Sequence, residues 1–233
     1  MDGFMGDAFG WVGVASTWIL PVLFAVTFHE AAHGWVADKL GDPTARLAGR
    51  ISANPLRHVD PFGTVILPAL LLLLRAPFLF GWAKPVPVDF RNLRKPRRDM
   101  VLVAAAGPGS NLLMASIATA LIYTVPLMPH AAAEWWYLNL VNAMTINLVL
   151  MAFNLIPLPP LDGGRIAVGL LPRPLAIRLA RTERFGILIL LGLLFLLPLI
   201  GGQIGYDLNV LSWIVGVPVQ AMMRVLLTVF GLV

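Results

Sequence analysis

Five stretches of this chain are apolar over about the length that a lipid bilayer demands. A membrane-crossing helix needs about 20 mostly apolar residues. Residues 11–36, 100–126, 138–157, 185–200 and 208–233 read as such helices. No water-facing surface could cover them, because charged residues make up only 12% of the chain and hydrophobic residues 58%; soluble domains carry roughly 25% charged residues. Backbone groups in hydrocarbon must satisfy their own hydrogen bonds, which leaves helices or closed barrels. The expected fold is therefore an all-α polytopic membrane protein. No repeat or low-complexity linker divides it, so residues 1–233 read as one integral membrane unit. Cys is absent, which excludes disulfides, thiolate nucleophiles and Cys-ligated metals.

The net charge of +5 reads as topology rather than nucleic-acid binding. Basic residues cluster in three loops. Lys39, Arg46, Arg50 and Arg57 follow the first helix. Lys84, Arg91, Arg94, Lys95, Arg97 and Arg98 precede the second, and Arg165, Arg173, Arg178, Arg181 and Arg184 follow the third. The stretches 127–137 and 201–207 hold no Lys or Arg. All three basic loops share the cytoplasmic side only if the short apolar run 62–74 is re-entrant or interfacial. Six spans would place one basic loop outside. The expectation is thus five spans plus a re-entrant segment in the cell membrane, with the N-terminus outside. The first residues hold Asp2 and Asp7 and no basic group, so they do not resemble a signal peptide, and the first helix is expected to be retained. Residues 173–184 mix basic and apolar residues at helical spacing, as a short helix against anionic lipid would.

Inside the first apolar helix stands His29-Glu30-Ala31-Ala32-His33. Histidines four apart leave the same helix face, so two imidazoles can bind one Zn²⁺. Glu30 takes the place of the general base in this HExxH pattern. Three ionisable groups within five residues are costly in a membrane, which marks a functional site. The alternative is a set of polar residues that only hydrogen-bond between helices. A catalytic zinc needs a third protein ligand and an open position. His58 and Asp60 lie on the correct side. Asp162 sits in NLIPLPPLDGGR at the inner end of the third helix, where prolines forbid regular helix and Gly163-Gly164 permits a turn. Asp162 is the expected third ligand. His58 is expected to be an ordinary interfacial histidine.

HEAAH in one membrane helix with NLIPLPPLDGG in a later one resembles the site-2 protease family of intramembrane zinc metalloproteases. The family's second motif, N-x-x-P-x-P-x-L-D-G, appears as Asn154, Pro157, Pro159, Leu161, Asp162 and Gly163. AGPGSN, with Gly107, Pro108 and Asn111, is similar to the family's G-P-x-x-N element. RLAGRISANPLRHVDPFGT and FGWAKPVPV look like a compact bacterial branch, with neither a PDZ segment nor a CBS pair. The resemblance implies one Zn²⁺ per chain on His29, His33 and Asp162, near the cytoplasmic face, with Glu30 as general base and acid. It implies substrates that are membrane proteins with a transmembrane segment, cut within or near that segment. It also implies Asn154 as a hydrogen-bond donor or clamp at the scissile peptide, against the simpler reading of an interhelical hydrogen bond. Asn111 reads as packing beside the small residues around it.

A helical substrate must unwind to be cut, and an extended strand can be held by strand addition. Residues 81–88, GWAKPVPV, suit an edge strand, because Pro85 and Pro87 remove donors from one edge only. Lys84, Val86 and Val88 would pair with substrate, with residues 46–53 as a partner strand. The alternative is an extended proline-rich loop. A metal transporter and a non-catalytic binder of transmembrane segments are the rival functions. A transporter would show further ionisable groups along a path, yet the later helices hold almost none. A pure binder has no need of Glu30.

Overall fold

The computed structural model describes residues 2–73, 81 and 83–233, with side chains in 2–12, 65, 68 and 72 left aside. The described residues are helical or irregular, and none forms a strand. The α-helices are α1 (Asp2–Leu40), α2 (Thr44–Leu47), α3 (Leu67–Leu73), α4 (Pro96–Leu121), α5 (His130–Asn154), α6 (Asp162–Leu170), α7 (Arg173–Arg181), α8 (Glu183–Leu191), α9 (Leu197–Ile204) and α10 (Val210–Val229).

Among the described residues, five helices are long and apolar enough to cross a membrane, as expected: Gly13–Leu40, Pro96–Leu127, His130–Asn154, Glu183–Ile204 and Val210–Val229. The fourth joins α8 and α9 through a π-helical turn at Gly192–Leu196. The third starts eight residues before the expected 138. Ala131, Ala132 and Ala133 are the strongest helix formers and carry the helix back to His130. Helix α1 likewise runs back beyond the expected residue 11. The run 62–74 forms a π-helical stretch, Pro61–Ile66, continuing into α3. At ~1.5 Å per residue that described part reaches roughly 20 Å, short of the ~30 Å hydrocarbon core. Leu74 lies outside the described residues.

Helices α1, α4 and α5 pack on one another, with α6 against α4 and α10 against α5. The interior of α4, α5 and α10 is Ala115, Ala118, Met144, Leu148, Met151, Ala152, Val219 and Leu226. A smaller cluster, Ala37, Leu93 and Val103, seats the loop residue Leu93 between α1 and α4. The fourth span is the least covered, with 11% of its most apolar window buried within the protein. An apolar helix so little covered is a lipid-facing helix.

The expected β element is absent among the described residues. Residues 46–53 cannot serve as a partner strand, because α2 takes their start and Gly49 turns the chain at φ +64°. Trp82 lies outside the described residues, and Ala83–Val88 carries no strand. Two of the three donors expected to be free are engaged. The Lys84 N–H donates to the His58 carbonyl at 2.9 Å, and the Val86 N–H donates to Glu30 Oε2 at 2.8 Å. Arg50, itself buried, donates from Nη2 to the Lys84 carbonyl at 2.6 Å. The segment is an irregular proline-rich strap held by side chains and loop carbonyls. Its far end is fixed by Asp42, which accepts from the Asp89 N–H at 2.7 Å and from Asn92 Nδ2 at 3.1 Å.

Candidate metal centre

Helix α1 supplies the two histidines. Each is oriented through Nδ1 by α4, which crosses the same face of α1. His33 Nδ1 lies 2.7 Å from the Val103 carbonyl, and His29 Nδ1 lies 2.6 Å from Asn111 Oδ1. A carbonyl oxygen only accepts, so His33 donates from Nδ1 and keeps a bare lone pair on Nε2. His29 holds its bare lone pair on Nε2 by the same logic if Oδ1 is the Asn111 atom that faces it. Asn111 Nδ2 donates to the Ala25 carbonyl at 3.2 Å, which fixes that orientation of the amide.

Asp162 arrives from the first residue of α6. The chain turns sharply to bring it there, after the cis Pro159-Pro160 bond. A Cβ on Gly163 would lie 2.5 Å from the Ile156 carbonyl, so the turn has no space for a side chain. Asp162 Oδ2 then stands 3.2 Å from His29 Nε2 and 3.3 Å from His33 Nε2. The two Nε2 atoms are 3.1 Å apart. The Asp162 carboxyl is buried, and its Oδ2 has no hydrogen-bond partner.

Three lone-pair atoms therefore converge on one point. A tetrahedral ion with bonds of about 2.0–2.1 Å sets its ligand atoms roughly 3.3–3.4 Å apart. The triangle of 3.1–3.3 Å fits that spacing. Two nitrogens and a carboxylate oxygen are also a donor set that zinc takes in catalytic sites. Gly107 on α4 leaves the approach open, since a Cβ there would lie 2.6 Å from His29 Nε2. No other group of three His, Asp or Glu side chains converges in this way among the described residues.

Glu30, beside His29 on α1, reaches the strap. Its Oε2 accepts from Val86, and it is half-buried. Asn154, at the end of α5, donates from Nδ2 to the Leu150 carbonyl of its own helix at 3.0 Å. Asp60 caps the helical turn after it by accepting from the Gly63 N–H at 2.6 Å. His58, expected as an ordinary interfacial histidine, is buried within the protein. It is 2% exposed, and its Nε2 donates to the Ser52 carbonyl at 2.9 Å. Neither joins the triangle. Asn111 was expected to pack and instead touches a candidate ligand. Its place one turn from Gly107 on α4 was the available signal, since a residue four after a close-approach glycine faces the same partner.

The chain matches peptidase family M50 over residues 125–199. It is 42% identical over 185 residues to YwhC of Bacillus subtilis (strain 168), described as a candidate zinc metalloprotease, covering 78% of this chain and 80% of that protein. It is 28% identical over 185 residues to Rip2 of Mycolicibacterium smegmatis, described in the same way, covering 79% of this chain and 68% of that one. No solved structure matches. Membrane helices, a convergent His-His-Asp triangle and these relatives lead to one identity: the chain belongs to peptidase family M50, the site-2 proteases, and is an intramembrane zinc metalloprotease.

Proposed function

We propose that His29, His33 and Asp162 hold one Zn²⁺ per chain and that Glu30 is the general base and acid. The reaction is hydrolysis of a peptide bond within or near a transmembrane segment of a membrane-protein substrate. The observation that carries this reading is the triangle of two imidazole nitrogens and one carboxylate oxygen at 3.1–3.3 Å. What a bound zinc supplies is Lewis acidity, towards a peptide carbonyl and towards water.

The chain's own residues do the rest. Val103 and Asn111 keep both imidazoles in the tautomer that leaves Nε2 free. Before substrate binds, the Val86 N–H holds Glu30 by one oxygen, and the other carries no hydrogen bond among the described residues. That free oxygen takes a proton from the attacking water and delivers it to the departing amide nitrogen. A carbon–oxygen bond forms at the carbonyl and the carbon–nitrogen bond breaks. Asn154, released from the Leu150 carbonyl, is assigned to donate to the peptide oxygen.

The strap supports a second assignment. Lys84, Val86 and Val88 contact substrate only once substrate displaces the bonds that now occupy Lys84 and Val86. Charge distribution supports five spans with the N-terminus outside, residues 62–74 re-entrant and the site at the cytoplasmic face. Because Cys is absent, single cysteines introduced at the exposed positions 53 and 56 and at 127–129 report sidedness cleanly. The first set should label only from the cytoplasm and the second only from outside. The function itself is tested by reconstitution in vesicles with a single-span substrate. Zinc-dependent cuts mapped by mass spectrometry should fall in or beside the span. Cuts that persist with Glu30→Gln at the wild-type rate would overturn the assignment.

A further inference from the structure

Beyond Asn111 lies a second buried amide that neither motif contains. Asn147 is on α5 and 1% exposed. Its Nδ2 donates to the Ala143 carbonyl of its own helix at 2.8 Å, and its Oδ1 accepts from Asn111 Nδ2 at 2.8 Å. Asn111 is fully buried and passes the contact to His29 Nδ1 at 2.6 Å.

The directions of these bonds are forced from the far end. A backbone carbonyl can only accept, so the atom of Asn147 facing Ala143 is its NH₂ group. Its oxygen therefore faces Asn111, and that oxygen demands a donor. Asn111 turns its own NH₂ towards it, and the same NH₂ serves the Ala25 carbonyl of α1 at 3.2 Å. Both protons of that group are thus used, and the Asn111 oxygen is left for the imidazole. The Asn147 bond is the shorter of the two that orient Asn111. Buried amide chains of this kind hold one arrangement because any flip leaves unpaired polar groups out of water.

We infer that Asn147 is a positioning residue for the metal centre: through Asn111 it fixes the tautomer and ring plane of His29, so that α5 sets the geometry of a ligand carried by α1. The inference rests on the zinc reading above. A contrast on the same helix sharpens it. Asn139 is also buried, but its Nδ2 donates to the Trp135 carbonyl of its own helix, and it does not reach the His29–Asn111 chain.

The test is zinc affinity by chelator competition on purified full-length protein in detergent, in a double-substitution cycle. Groups that orient a metal-bound histidine change metal affinity by about 10–100-fold when removed. Asn111→Leu should weaken zinc within that range, and Asn147→Leu by about 3–10-fold, since it acts one bond further out. In Asn111→Leu/Asn147→Leu the second substitution should add less than about twofold, because residues in one chain are not additive. Asn139→Leu should leave zinc affinity unchanged. Thermal melts of the metal-free variants separate loss of fold from loss of positioning. The inference is overturned if Asn147→Leu binds zinc as wild type does, if the two substitutions act independently, or if Asn139→Leu weakens zinc equally. Absence of zinc binding in the wild type is a separate result that removes the zinc reading itself.

Discussion

Glu30 stands between two walls built in opposite ways. On one side, His29, His33 and Asp162 are carried by the regular helices α1 and α6, and α4 pins both imidazoles through buried hydrogen bonds. On the other side, the strap has no regular structure and reaches Glu30 with one backbone N–H. The difference matches the roles proposed for the two walls. Metal ligands would need fixed positions, which helices with buried partners give. A surface that receives a peptide would have to yield, and a proline-rich segment has few ladder bonds to lose.

Glu30→Gln should sharpen that contrast most. Cleavage should fall by about 10²–10⁴-fold, while zinc content stays at the wild-type level. Equal loss of zinc would place Glu30 on the metal wall instead. Gly107→Ala attacks the rigid wall alone. A methyl group 2.6 Å from His29 Nε2 has no room unless the imidazoles shift, so zinc affinity should drop by about 100-fold or more. Alanine favours helix, so α4 should remain folded by circular dichroism. Normal zinc binding in this variant would show that the wall is not rigid.

Arg50→Met tests the yielding wall. It removes the guanidinium that holds the Lys84 carbonyl at 2.6 Å. Cleavage should fall by about 3–10-fold, from a hydrogen bond to a charged group worth about 1.5–3 kcal/mol that acts only indirectly. Zinc affinity should not change, and a matching loss of zinc would join the two walls into one unit.

The smallest effect concerns the anchor of the strap. Burial would raise the Asp42 carboxyl, but Thr44, Asn92 and the Asp89 N–H outweigh it and hold it below the ordinary range. Its folded pKa is depressed, so its contribution is present above the unfolded value of about 3.9 and is lost as pH falls through the folded value. Asp42→Ala should cost about 1–3 kcal/mol at pH 7, and the gap from wild type should narrow below about pH 4. A gap independent of pH would mean that Asp42 does not act through its charge.

Much of the rigid wall was legible in the sequence. Histidines at 29 and 33 share a helix face by spacing alone, and the proline-glycine stretch before Asp162 had to be irregular. Five spans followed from apolar length. Asn111 and Asn147 were not legible as partners of His29. They are 82 and 118 residues from it in sequence, and an asparagine in a membrane helix carries no mark of which neighbour it meets. The strap was misread for a related reason. Alternation with proline does describe extended backbone, but a strand also needs a neighbour, and Gly49 with α2 removes the one expected. Where the Val86 N–H goes depends on α1 being alongside, which only the packing determines.

The most direct test is elemental analysis of zinc in the purified protein, run on wild type, His29→Ala, Asp162→Ala and His58→Ala. The account predicts about one zinc per chain in wild type and in His58→Ala, with zinc lost from His29→Ala and Asp162→Ala. Zinc retained in Asp162→Ala and lost from His58→Ala would contradict it, because the third ligand would then come from the loop after α1 and not from α6.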